Sequence, residues 1–321
     1  MDFRQLRYFA GVAELKTISL AAQHLRIAQP ALSRCVKDLE KSLGVQLLNR
    51  HGRGVSLTSA GEKLYHHAKR LLQELHNAEQ DVIASSGTPF GNLYLAMPSA
   101  TGQILVPPIL ERYRKLYPQV SVHILEGFSG YIHEWLANGR IDVGVLHNPA
   151  ANSKLTNTHL LNEEVCVIGP GKAVQSKLQR KVRVGYHVKD LAELPLILPS
   201  RLNSLRTLVE MAVSRHGKAI NLAYEVDGLP IIKSMVERGL AYTVLTRAAV
   251  GREIAAGTLT AAPIHSPKLV WDLCVVSRRD LRPSEATREL IRLIREEAQE
   301  SATRGVWGEV ALPRKRPASR T

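Results

Sequence analysis

Cysteine is scarce in this sequence, and acidic charge falls well short of basic. The 321 residues hold three cysteines, Cys35, Cys166 and Cys274, odd in number and far apart. Such spacing builds neither a disulfide framework nor a paired metal site, so buried thiols in a reducing compartment are expected. No apolar run approaches the roughly 18 residues that span a bilayer. The start, MDFRQLRYFAGVAEL, alternates charged and apolar residues and has no apolar core of the kind a secretory signal needs. The expected location is cytoplasmic, with no membrane partner. Catalytic signatures are missing too: GPGK at 169–172 lacks the spacing and hydroxyl of a phosphate loop, and neither G-x-S-x-G nor H-E-x-x-H occurs. His66 and His67 are adjacent, so on a helix they point about 100° apart and do not converge on one ion. No metal, cofactor or catalytic residue is expected.

What is present is positive charge, unevenly spread. The 43 Lys/Arg and 29 Asp/Glu give a net charge of +14. Residues 1–56 hold nine bases against four acids and residues 301–321 five against one, while the long middle is nearly balanced for its length. A basic module on a near-neutral body is the electrostatic footprint of a nucleic-acid binder. The run PRKRPASRT, with two prolines and no apolar face, reads as a basic disordered tail over 301–321.

The N-terminal sixty residues divide into short helices. Leu6, Phe9, Ala10 and Ala13 share one face of a first helix, and Ser19 is placed to cap a second that carries Ala21, Ala22 and Leu25. Arg26 and Ile27 connect it to a third, which starts at Gln29 or Pro30, since proline suits a first helical turn. Leu32, Val36, Leu39 and Leu43 face inward, and Gly44 ends the helix. Gln29, Ser33 and Lys37 remain on an outward stripe with Arg34 beside it. Three helices with a tight second connection describe a helix-turn-helix, whose last helix presents its N-terminal residues to the major groove. Gln matches adenine there and Arg guanine. VQLLNRHGRGVSLTSAG then reads as a hairpin wing with Arg50 and Arg53 near its tip, the latter suited to a narrow minor groove.

The stretch Leu6 to Gly61, with AAQHLRIAQPALSR, LEKSLGVQLLNR and GRGVSLTSAGE, resembles the winged helix-turn-helix of LysR-type transcriptional regulators. The resemblance implies that Gln29, Pro30, Ser33 and Arg34 read the major groove of double-stranded promoter DNA and that Arg53 reaches the minor groove. Ala28 departs from the Ser or Thr cap common in the family, and Leu48 from the usual Phe.

Ser59 and Glu62 fit a capping box opening a long linker helix over 59–88. Leu64, Ala68, Leu71, Leu75, Ala78 and Val82 recur at alternating fours and threes, a heptad seam that suits a dimerising coiled coil better than a wide apolar face. SSGTPFG at 85–91 marks a boundary.

From residue 89 to about 300 strand and helix patterns alternate, as in NLYLAM, VSVHILEG, SGYIHEWLANG, IDVGVL, LPLILPS and LAYTVL. Such alternation predicts sheets covered by helices, with ligands at the C-terminal ends of strands. This half resembles the effector domain of LysR-type regulators and implies two α/β lobes of periplasmic-binding-protein type, lobe 1 over 89–163 and 267–300 and lobe 2 over 164–266. EGFSGYIHEWLANGRIDVGVLHNP and LPLILPSRLNSLR look closest to the branch that includes the nitrogen assimilation control regulator. Ser99 and Thr101 follow one strand and Ser200, Arg201, Asn203 and Arg206 another, with Ser129 opening a further helix. Hydroxyls, amides and two arginines at helix N-termini favour a small anion such as an organic acid. Thr246 stands where the family commonly has Pro, and Gly228 where it has Ser.

The expected fold is therefore α+β and multi-domain: a winged helix-turn-helix over 1–58, the linker helix, and a two-lobed α/β effector domain. The expected function is sequence-specific, effector-responsive transcriptional regulation by a homo-oligomer, which the resemblance implies to be a dimer of dimers. Three alternatives remain: an enzyme with a new cleft site, a transport solute-binding protein, and a non-specific DNA-packaging protein.

Overall fold

The structure is a computed structural model that describes residues 1–52, 54–84, 89–171, 184–280, 283–308 and 310–311. The chain divides into two compact units, the first over residues 1–87 with the short stretch 138–140, the second made of the remainder from residue 88.

In the first unit, α1 (Phe3–Leu15), α2 (Ile18–His24) and α3 (Gln29–Leu43) precede a two-stranded wing, β1 (Leu48–His51) and β2 (Gly54–Leu57), and then α4 (Ser59–Ala84). The wing strands pair antiparallel, Leu48 opposite Leu57. Phe9, Val12, Ala21, Leu32, Val36, Leu39, Leu47 and Leu48 form one buried core. Full burial of each large apolar side chain contributes about 1.5–3 kcal/mol. Leu48, the departure from Phe, is buried in that core.

Two caps sit earlier than their sequence patterns indicate. Thr17, and not Ser19, accepts from the Leu20 amide to cap α2. Thr58, and not Ser59, accepts from the Gly61 amide at the head of α4. In each case two hydroxyl residues lie within three positions, and the one before the first turn takes the role. Ala28 precedes α3 without any side-chain cap bond, and Gly44 closes it in the left-handed region at φ +69°.

The second unit is built on two sheets that share one strand. In chain order come β3 (Gly91–Met97), α5 (Ser99–Leu116), β4 (Val120–Glu126), α6 (Ser129–Ala137), β5 (Val143–His147) and the long β6 (Leu155–Pro170). Next are β7 (Tyr186–His187), β8 (Pro195–Leu198), α7 (Ser204–Ser214), β9 (Asn221–Glu225), α8 (Leu229–Glu237), β10 (Tyr242–Thr246) and α9 (Gly251–Ala256). The chain returns through β11 (Leu259–His265), β12 (Val270–Arg278), α10 (Glu285–Thr303) and β13 (Val310–Ala311).

One sheet runs β4-β3-β5-β12-β6, and the other continues from β6 through β10 and β8 to β9. β12 pairs with β6 over Leu155–Glu164, whereas β10 and β11 pair with it over Val165–Pro170. The strand thus passes from one sheet to the other between Glu164 and Val165. Separate apolar clusters fill the two parts, one around Leu95, Ile109 and Leu290, the other around Ile197, Val209 and Val244. We call these parts lobe 1 and lobe 2.

The basic tail does not begin at residue 301. α10 continues to Thr303, the Trp307 side chain is buried, and its indole N–H donates to Ser301 Oγ at 2.7 Å. Val310 and Ala311 then pair with β6. One aromatic anchor holds these residues on lobe 1, which a charge count does not register. Residues 312–321 lie outside the described residues.

Candidate nucleic-acid interface and ligand cleft

Burial of Leu32, Val36 and Leu39 fixes the rotation of α3, and with it what the helix shows to solvent. Gln29, Pro30, Arg34 and Lys37 are exposed and Ser33 is half-buried. The first-turn amides lack intrahelical partners, and with no cap bond at Ala28 that helix end favours an anion such as a phosphate.

The wing extends this surface. Arg50 on β1 donates from Nη1 to Ser33 Oγ at 3.2 Å, so helix and wing form one polar face. Glu40, which the sequence reading passed over, holds the wing root: its Oε1 accepts from the Leu47 and Leu48 amides at 2.8 and 3.1 Å. Arg53 lies outside the described residues.

α4 carries the expected seam in two parts. Ala68 is fully buried within this chain and Leu64 half-buried against the first-unit core, so Ala68 is removed from any interface with a second copy. Heptad spacing cannot distinguish packing within a chain from packing between chains. Leu71, Leu75 and Ala78 are exposed, and Val82 lies outside the described side chains. Tyr65 donates its hydroxyl to Glu14 at 3.1 Å and Lys69 meets the same carboxylate at 2.6 Å, fastening α4 to α1. Burial, together with the Glu14 carboxylate, pushes the Tyr65 phenol up to about 12.

In the second unit two helix N-termini meet across the lobes. Ser129 begins α6 on lobe 1 and Asn203 caps α7 on lobe 2 by accepting from the Leu205 amide. They approach so closely that a Cβ on Gly130 would stand 3.0 Å from the Leu202 carbonyl oxygen. Ser204 Oγ lies 3.4 Å from Ser129 Oγ, donates to the His147 carbonyl at 3.3 Å, and accepts from the Trp271 indole at 3.0 Å. Ser129 accepts in turn from the His147 amide at 3.1 Å. The His147 ring stacks on Trp271 at 3.5 Å, and its Nε2 bonds Glu163 Oε2 at 2.7 Å. His147 Nδ1 and Glu163 Oε1 are buried with no hydrogen-bond partner.

Of the effector residues expected from sequence, this seam gathers Ser129 and Asn203. Thr101 is buried in α5 and Ser99 half-buried at its start. The Ser200 amide donates to Asp227 at 2.7 Å, and Arg201 is exposed, 3.7 Å from Glu210. Arg206 corrects the expectation of a ligand-facing cation. It is buried, and its guanidinium donates to Glu210 at 2.8 Å, to the Pro199 carbonyl at 3.0 Å and to Glu225. A buried charge requires such partners, and the carboxylates of its own lobe supply them. Sequence reading missed His147, Glu163, Ser204 and Trp271, which are brought together only by the strand crossings; the one cue was SRLNS, where a second serine follows Asn203.

Comparison with known proteins bears on both halves. Residues 3–62 match the bacterial regulatory helix-turn-helix protein family of lysR type, and residues 86–299 match the LysR substrate binding domain. The chain is 29% identical to the HTH-type transcriptional regulator BbuR of Bordetella bronchiseptica, over 96% of this chain and 93% of that one. It is 27% identical to the nitrogen assimilation regulatory protein nac of Escherichia coli, over 91% and 94%. A full-length OxyR variant from Pseudomonas aeruginosa superposes with a TM-score of 0.71 at 23% identity, covering 93% of this chain and 95% of that chain. Full-length CbnR in a complex with its target DNA gives 0.65 at 22%, covering 92% and 100%. The chain therefore belongs to the LysR family of bacterial regulators: it is a DNA-binding transcriptional regulator with an effector-binding domain, and not an enzyme.

Proposed function

We propose that this protein reads a promoter sequence through Gln29, Ser33, Arg34 and Lys37 of α3, with Pro30 setting the helix start and Arg50 and Arg53 contacting the duplex from the wing. The observation that carries this is the Arg50–Ser33 bond, which makes the outward stripe of α3 and the wing one surface. Two recognition helices spaced by one duplex turn need a dimer, for which Leu71, Leu75 and Ala78 offer an exposed seam on α4. A dimer of dimers working in the cytoplasm is the assembly that the family resemblance favours.

The effector in this reading is a small anion seated where α6 and α7 converge, served by Ser129, Asn203, Ser200 and Arg201, with Ser99 and Thr101 at the mouth of α5. Two helix N-termini pointed at one region favour negative charge there, and the hydroxyls supply donors. Because the cleft walls come from both lobes, an anion binding there changes their separation and so the geometry offered to DNA.

Arg34→Ala tests the DNA half. Each lost bidentate base contact costs about 1–3 kcal/mol of discrimination, so the variant is expected to bind cognate and scrambled duplexes alike in a competition gel shift. Retained preference for the cognate site contradicts the assignment of Arg34.

A further inference from the structure

Two glycines turn the chain back on itself where α10 ends. Gly305 and Gly308 adopt φ of +74° and +76°, a backbone region that other residues enter only with strain. The Gly305 amide donates to the Ala302 carbonyl at 2.9 Å and the Val306 amide to the Ser301 carbonyl at 3.0 Å, closing the helix. The reversal sets Trp307 into the lobe 1 cluster that contains Leu95, Ile109 and Leu290. It also lays Gly308 against lobe 2, where a Cβ on the glycine would stand 3.3 Å from Cβ of Arg247. Ala248, the next residue of lobe 2, packs against the same lobe 1 cluster as Trp307.

β13 then returns to the strand that joins the lobes. Val310 pairs with Glu163 and Ala311 with Asn162, just before β6 passes to the second sheet. Glu163 is paired with Trp271 of β12 as well, so β13 lies on the opposite edge of β6. Among the described residues no other strand covers that edge at Asn162 and Glu163. The Glu163 side chain is buried and has a single partner, the His147 ring at 2.7 Å from Oε2. Strand pairing on both sides therefore sets where this carboxylate points. His147 in turn donates its amide to Ser129 and accepts on its carbonyl from Ser204 of lobe 2. Chain end, Glu163, His147 and the facing serines form one line of contacts.

We propose that residues 304–311 are a strap that holds the two lobes at their present separation, acting through Glu163 and His147 on the α6–α7 seam. Trp307 anchors the strap on lobe 1, Gly308 bears on lobe 2, and β13 fixes the strand from which Glu163 reaches the seam. Detachment of β13 leaves that edge of β6 unpaired, frees Glu163 to turn from His147, and lets the lobes part. The chain end is then an internal restraint, and any ligand that changes the lobe separation works against it.

Proton exchange of the Trp271 indole N–H, which donates to Ser204 across the lobes, reads the seam directly by NMR. In the ligand-free full chain, Val310→Pro removes the N–H of residue 310 and disfavours the strand. It is expected to speed Trp271 exchange about tenfold, as is truncation after Gly308, which keeps the Trp307 anchor. Truncation after Ala311 removes the basic stretch alone and leaves the rate at its wild-type value. The Leu205 amide, held by Asn203 within lobe 2, keeps its rate throughout and reports an intact lobe. Wild-type Trp271 exchange in both the Val310→Pro chain and the chain ending at Gly308 overturns the proposal. Equal acceleration at Leu205 overturns it as well, since the segment would then only stabilise the fold. The readout needs no ligand, so its failure is distinguishable from failure of the anion assignment in the cleft.

Discussion

Tyr65 ties α4 to α1 through a single phenol, and at the scale of one residue that bond carries a pH dependence. The phenol, raised from an ordinary 10.0 to about 12 by burial and by Glu14, is more protonated in the folded chain than in the unfolded one. Its contribution to stability is complete below pH 10 and is lost as pH rises through about 12. Tyr65→Phe is expected to flatten the alkaline limb of a pH–stability curve for the first unit, measured by urea denaturation; an unchanged slope between those values contradicts it. Such pairings were the least legible part of the sequence. The outward set on α3 follows from one periodicity, because the burial of Leu32, Val36 and Leu39 dictates what remains outside. Arg206 shows the limit: an arginine after a helix start looks the same in sequence whether it awaits an anion or is already bonded to Glu210 and Glu225. Its two carboxylates arrive from a helical turn and from a neighbouring strand, and only the second required the fold.

At the scale of elements, local signals placed α3, α5, α6 and the wing strands closely, whereas the antiparallel returns β6, β11 and β12 were not read. Those three carry the chain between the lobes, and alternation of strand and helix gives no sign of a strand that serves two sheets. Gly61 shows how elements fix one another. A Cβ there would stand 2.0 Å from the Leu47 carbonyl oxygen, so α4 and the root of the wing meet backbone to backbone. Gly61→Ala is expected to destabilise the first unit by about 1–3 kcal/mol through overpacking, seen as a lowered melting temperature; wild-type melting would mean that the wing root yields. In the second unit, Ser204 fastens α7 to Ser129, the His147 carbonyl and the Trp271 indole. Each such bond contributes about 0.5–1.5 kcal/mol. Ser204→Ala is therefore expected to loosen the seam, speeding amide exchange at His147 and broadening Trp271 emission, with DNA affinity retained in the absence of effector. Exchange at the wild-type rate would show that the lobes are held elsewhere.

At the scale of the whole molecule, a basic N-terminal module joined to a near-neutral two-lobed body was legible from charge and pattern, and the family matches span both parts. Assembly was less legible, because α4 presents one continuous repeat of which Ala68 is already used within the chain. The remaining exposed leucines, Leu71 and Leu75, lie one turn apart on the same helix. A helix seldom leaves two leucines on one stripe without a partner surface, and a second copy of the same stripe supplies one with two-fold symmetry. Burial of each leucine contributes about 1.5–3 kcal/mol, and four are buried when two chains pair. Leu71→Asp combined with Leu75→Asp both withdraws that burial and places like charges opposite one another. Sedimentation velocity is expected to show the double variant as a monomer at micromolar concentration. Its DNA affinity should fall by a factor far larger than any change at one half-site, since the second recognition helix no longer binds as part of the same molecule. An unaltered sedimentation coefficient would contradict pairing of two chains through α4.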